Sequence, residues 1–138
     1  MDIEKNKAVV RRFNEAVIER RDLSVMDELF APDFVNRSVK EGFSGGTDGM
    51  IAFLQLFWAA FTDLKVDIHD QVAEADRVSS RKTIRGTHTG TFMGVPATGR
   101  EIAIPVIDIV RLKAGRYAEH WNLIDLPGVL KQLQEKKA

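Results

Sequence analysis

The chain has 138 residues, 44% apolar and 29% charged, with 20 basic and 20 acidic side chains and a formal net charge of zero. This is enough chain for one domain, residues 1–138, with a sizeable core, and the charge balance excludes the basic footprint of a nucleic-acid binder. With no cysteine, disulfides, thiol nucleophiles and thiolate metal sites are excluded too.

The first residues are polar and carry no apolar signal core, and no segment approaches the length of a membrane span. A cytoplasmic protein without membrane or nucleic-acid partners is expected. Residues 2–20 predict an amphipathic helix, with Val9, Phe13, Ala16 and Val17 on one stripe. Ser24 and Asp27 open a second, short helix, Ser24 capping, and Ala31-Pro32 stops it. Residues 33–48, with Gly42, Gly45 and Gly46, read as loop. A third helix starts near Thr47 or Asp48. Met50, Phe53, Leu54, Phe57 and Phe61 form its stripe, and Ile51, Leu56 and Trp58 widen it.

The remainder predicts antiparallel strands. Leu64, Val66 and Ile68 alternate with polar residues. Glu74-Ala75-Asp76 is a turn, and Arg77–His88 is a second, heavily polar strand. Gly90–Gly99 is a loop. Residues 127–133 form a closing helix with Pro127 in its first turn. Helices followed by antiparallel strands imply an α+β fold, helices packed on a curved sheet with a ligand pocket between them.

The most informative segment is the hairpin of residues 104–125, because it sets Asp108 inside a run of β-branched apolar residues. A charge there is costly to bury unless it is paired. Ala114 resists the positive φ of a two-residue turn, so a three-residue loop, Lys113-Ala114-Gly115, is expected. That register sets Leu112 opposite Arg116, Asp108 opposite His120 and Val106 opposite Asn122. Asp108, His120 and Asn122 then share one face. Ile107, Ile109, Arg111, Tyr117, Glu119 and Trp121 share the other, which would suit a homodimer interface through the sheet's outer face.

Asp108 and His120 are a candidate acid/base pair, or a structural buried pair. Asn122 and Asn36 are candidate hydrogen-bond donors to a substrate oxygen, and Phe53, Phe57 and Val106 candidate walls of an apolar binding site. His88 is expected to secure the Gly94–Gly99 loop. Arg81 and Arg85 are expected to pair with acidic residues of the sheet or of a partner subunit. His69 is expected to face solvent. The three histidines lack metal-ligand spacing, so no metal is expected.

Several stretches carry a family likeness: Gly86-Thr87-His88-Thr89-Gly90, Gly94-Val95-Pro96-Ala97-Thr98-Gly99-Arg100, Ile107-Asp108-Ile109-Val110-Arg111 with Gly115, Glu119-His120-Trp121 with Asp125 and Gly128, and, more weakly, Asp33-Phe34-Val35-Asn36 and Gln132-Leu133. Through them the chain resembles the SnoaL-like polyketide cyclases (ester cyclases) of the NTF2-like superfamily. The resemblance implies a cone-shaped α+β barrel, commonly dimeric, that works without a cofactor and closes a ring on a polyketide ester by an intramolecular aldol reaction. It also implies an Asp on the last strand as acid/base and a His on the preceding strand. Those positions fall on Asn122 and Asp108, so neither family residue is present, and an amide does not shuttle protons at neutral pH. Two readings follow. One is an enzyme that cyclises or isomerises a small, mostly apolar carbonyl compound. The other is a non-catalytic small-molecule-binding dimer that keeps the scaffold.

Overall fold

The computed structural model describes residues 2–134. Helix α1 (Ile3–Arg12) is capped by Asp2, whose carboxylate accepts the Lys5 N–H. It continues without a break into a π-helical segment, Phe13–Glu19. The expected stripe is its buried side: Phe13, Ala16 and Val17 are buried and Val9 packs against the core.

The second helical segment differs from expectation at both ends. Asp22, not Ser24, caps it, accepting the Ser24 N–H into a short 3₁₀ turn, Leu23–Val25. Helix α2 (Met26–Leu29) ends before Ala31-Pro32, and strand β1 (Phe30–Asn36) occupies part of the predicted loop. Pro32 is tolerated there because β1 is an edge strand, where a missing N–H breaks no ladder.

Helix α3 (Thr47–Ala60) begins where predicted, and Phe61 already opens strand β2 (Phe61–Glu74). Strands β3 (Arg77–His88), β4 (Glu101–Lys113) and β5 (Arg116–Ile124) follow, and helix α4 (Leu126–Gln134) closes the chain. The sheet order is β1-β5-β4-β3-β2, antiparallel except for the β1–β5 pair. This is the expected α+β fold with a mostly antiparallel sheet. No helix among the described residues is long and apolar enough to cross a membrane.

The β4–β5 hairpin corrects the predicted register. Its turn is the two-residue one, Ala114-Gly115, with φ of 53° and 76°. Lys113 therefore faces Arg116 and Leu112 faces Tyr117. Continued unchanged, that register would set Asp108 opposite Trp121 and send His120 and Asn122 to the other face. A bulge next to Tyr117 prevents this, with Ala118 as the extra residue. Beyond it Arg111 faces Glu119, Val110 faces His120 and Asp108 faces Asn122. The predicted register is wrong by two residues, an even number, so the predicted face survives.

The bulge has a second consequence. It turns both Tyr117 and Ala118 inward. Tyr117 is not on the outer face: it stacks on Phe30 at 4.6 Å between ring centroids and meets Phe13 at 5.1 Å. Trp121 stays outside, under the Arg77 guanidinium at 5.2 Å.

Candidate active site

Strand alternation builds the site. The inward row of β4 is Ile102, Ile104, Val106, Asp108, Val110 and Leu112; that of β3 is Val78, Ser80, Lys82, Ile84, Gly86 and His88. Lys82 lies beside Val106, one inward step from Asp108, so two opposite charges meet inside an otherwise apolar or small-residue wall.

Lys82 Nζ sits 3.0 Å from Asp108 Oδ2, with the two side chains 5% and 4% exposed. Lys82 also donates to Asn14 Oδ1 at 2.7 Å, and Asn14 Nδ2 donates to the Val10 carbonyl at 2.8 Å. The orientation of that amide is unambiguous, since an ammonium only donates and a carbonyl only accepts. Asn14 belongs to the π-helical segment, a distortion that recurs at functional sites.

His120 comes from β5. Its Nε2 lies 3.9 Å from Asp108 Oδ2, beyond hydrogen-bond reach, and its Nδ1 is 3.4 Å from Asn36 Oδ1. Parallel pairing of β1 with β5 sets Asn36 beside His120, and the Arg37 N–H donates to the His120 carbonyl. Asn36 Oδ1 also accepts the Ser38 N–H, and Ser38 Oγ accepts the Asn122 N–H. The loop after β1 thus stitches the open side of β5 to the site.

Burial pushes the Asp108 carboxyl up, but Lys82 and, at longer range, His120 more than offset this and hold it below the ordinary carboxylate range. Both groups approach Oδ2. The other oxygen, Oδ1, is buried and has no hydrogen-bond partner, and the same holds for Asn122 Oδ1 directly across the ladder.

The seven residues singled out in the sequence, Asp108, His120, Asn122, Asn36, Phe53, Phe57 and Val106, line one cavity between α3 and the sheet, together with Lys82. Phe53 and Phe57 stack at 5.9 Å and Phe43 meets Phe53 edge-on, giving the wall opposite Asp108 its apolar character. Sequence reasoning missed Lys82 and Asn14. The signal for Lys82 was its parity with Val78 and Ile84. Asn14 carried none, because its position depends on the π-turn.

Other expected roles prove structural. His88 is fully buried; its Nδ1 accepts the Thr98 N–H at 3.2 Å and lies 2.9 Å from Thr98 Oγ1, so it secures the 90–99 loop. Arg81 and Arg85 pair with Asp70 and Asp67 of β2. His69 is exposed and reaches Thr83 Oγ1. Gln132 of α4 accepts the Ala103 N–H and donates to the Ala103 carbonyl, clasping the start of β4. Among the described residues no cluster of three or more His, Cys, Asp or Glu could hold a metal ion.

Comparison with known proteins agrees with this geometry. The chain is 29% identical over 112 residues to nogalonic acid methyl ester cyclase of Streptomyces nogalater, an alignment covering 78% of this chain and 82% of that one. It is 28% identical over 130 residues to aklanonic acid methyl ester cyclase DnrD of Streptomyces peucetius, covering 75% and 90%. The structure of TsrD from Streptomyces laurentii superposes with a TM-score of 0.86 at 28% identity, covering 97% of this chain and 98% of TsrD. The family model for the SnoaL-like polyketide cyclases matches residues 8–133, nearly the whole described chain and every element that lines the cavity, and the chain belongs to that family.

Proposed function

We propose that this protein closes a ring on a polyketide ester by intramolecular aldol addition, with Asp108 as the base. The observation that carries this reading is the asymmetry of the Asp108 carboxylate: Oδ2 is tethered to Lys82, while Oδ1 is buried and unpartnered, on a residue that lines an apolar cavity. A carboxylate so placed is ionised, dry and has one oxygen free to accept a proton.

The reaction balances without a co-reactant. Asp108 Oδ1 takes a proton from a carbon of the substrate, and the electron pair left behind delocalises onto the adjacent carbonyl as an enolate. That carbon attacks a second carbonyl carbon of the same molecule. A C–C bond forms, and the C=O π pair moves to oxygen as an alkoxide. The proton on Asp108 then passes to the alkoxide, directly or through His120. The product is an isomer of the substrate. An ion-paired carboxylate is a weak base, so the carbon it deprotonates must already be acidic, as one flanked by two carbonyl groups is. Asn122 and Asn36 hydrogen-bond the substrate's oxygens, and Phe43, Phe53, Phe57 and Val106 bury its apolar body.

Asn122 in place of the family's acid supports the competing reading, a binder without turnover. Incubation with the methyl esters of nogalonic and aklanonic acids decides between them. The enzyme reading predicts a ring-closed product of unchanged mass; calorimetric binding with no such product supports the binder.

In either case we propose a homodimer through the sheet's outer face, where Ile107, Ile109 and Leu123 are exposed, Leu123 by 78%, beside half-buried Trp121. Sedimentation is expected to show a dimer at micromolar concentration; a monomer there contradicts it.

A further inference from the structure

We propose that Lys82 is a positioning residue for this reaction: it ties down one oxygen of Asp108, so that the other alone is presented to substrate, and it keeps the carboxyl ionised within the cavity wall. The inference rests on the reading of Asp108 as the base.

Three observations carry it. First, the pair is more costly than a core requires. Apolar residues of similar volume commonly replace a buried ion pair with no loss of stability, and of the flanking inward positions Ile84, Val106 and Val110 are such residues, Ser80 being the polar exception. A local choice that costs stability marks a functional constraint. Second, Lys82 is itself fixed. Asn14 accepts one of its three hydrogens, the Asp108 carboxylate holds it by charge at 3.0 Å, and the Asn14 amide is locked by the Val10 carbonyl. The cation therefore cannot swing away from Oδ2. Third, Lys82 lines the same cavity as Asp108, so the tether acts at the wall that would face the substrate.

The groups that face Asp108 are Lys82 and the uncharged Ser80 from β3 and His120, Tyr117 and Asn122 from β5; Asn14 of the helical layer reaches it through Lys82. Tyr117 is held un-ionised, since burial and then the nearby Asp108 charge push its hydroxyl well above its ordinary range. Lys82 is the cation in direct contact.

The test is the pH dependence of Lys82→Met. In the wild type the Asp108 carboxyl lies below its unfolded value, so its stabilisation is present above about pH 4 and is lost as pH falls through the folded value. Without Lys82 only His120 opposes desolvation, the largest influence on this carboxyl, and the carboxyl is expected to rise above its unfolded value. Stability is then lost as pH rises through it, and the melting midpoint of the variant climbs on going from pH 7 to pH 5, a window in which the wild-type Asp108 contribution is level and below which it falls. The acid limb of the kcat/KM profile moves to higher pH.

A Lys82→Met protein with the wild-type acid response overturns the proposal. If that variant does not fold at either pH, Lys82→Met/Asp108→Asn decides. A folded double variant shows that the unpaired charge caused the failure, as proposed; an unfolded one makes Lys82 a packing residue and overturns it. The melting experiment needs no turnover. That climb without activity would defeat the cyclase reading alone, and activity lost in Asp108→Asn with no climb in Lys82→Met would defeat this inference alone.

Discussion

Replacing Asp108 by Asn is nearly silent in shape, and the structure nevertheless predicts a large loss of stability. The amide leaves the Lys82 ammonium in a site where that side chain is 5% exposed. At the observed 3.0 Å the charge–charge attraction is about 5.5 kcal/mol at an effective dielectric of 20. The Asn carbonyl still accepts a hydrogen bond from Lys82 and recovers part of this. The expected cost is about 3 kcal/mol, the lower end of what removing one partner of a buried pair does. For a chain of this size that lowers the melting midpoint by roughly 10 °C. The assay is urea and thermal unfolding at pH 7 of wild type, Asp108→Asn, Lys82→Met and the double variant, read as a thermodynamic cycle. The double variant carries no buried charge at either position and should be more stable than either single one. An Asp108→Asn protein within about 0.5 kcal/mol of wild type, or a double variant whose loss equals the sum of the singles, would refute the reasoning.

Three further outcomes are expected. Wild-type stability should fall as pH drops below about 4, because the depressed Asp108 carboxyl must then be protonated; a melting midpoint that rises steadily from pH 7 to pH 4 contradicts this. Asn122→Asp would set a second carboxylate directly opposite Asp108; like-charge repulsion should destabilise it by about 1–2 kcal/mol at pH 7 and relax on acidification, whereas a pH-independent difference from wild type argues against the pairing. Gly90→Ala should lower stability by more than about 2 kcal/mol, because its Cβ would run into the Ala59 carbonyl oxygen; denaturant unfolding checks this, and a neutral variant would show that the loop does not seat there.

Particular residues show how much of this was legible in the sequence. The stripes of α1 and α3, the alternation of β4 and the turn chemistry around residues 75 and 115 are local patterns, and they locate the helices, the strands and the cavity-facing row. The hairpin register was not legible. Ala114 accepts positive φ, a cost that the paired strands absorb, and the compensating bulge at Ala118 is set by the Tyr117 ring seeking Phe13 and Phe30, a contact more than eighty residues long-range in sequence. The even shift kept Asp108, His120 and Asn122 together; an odd one would have dispersed them. Strand β1 was hidden by Pro32, whose meaning depends on whether a strand lies at an edge. Lys82 was overlooked because Arg77–His88 reads as polar throughout. Only its parity with Val78 and Ile84 separates it from Arg81 and Arg85, which point outward and pair with β2.

The central claim, that Asp108 is the base, is tested most directly by the turnover of Asp108→Asn on a polyketide methyl ester at pH 7, well below that variant's own melting midpoint so that the folded form is assayed. The account predicts that kcat falls about 10²- to 10⁴-fold, the worth of a general base, with a smaller change in KM. A folded Asp108→Asn protein that turns over at the wild-type rate would remove Asp108 from the mechanism.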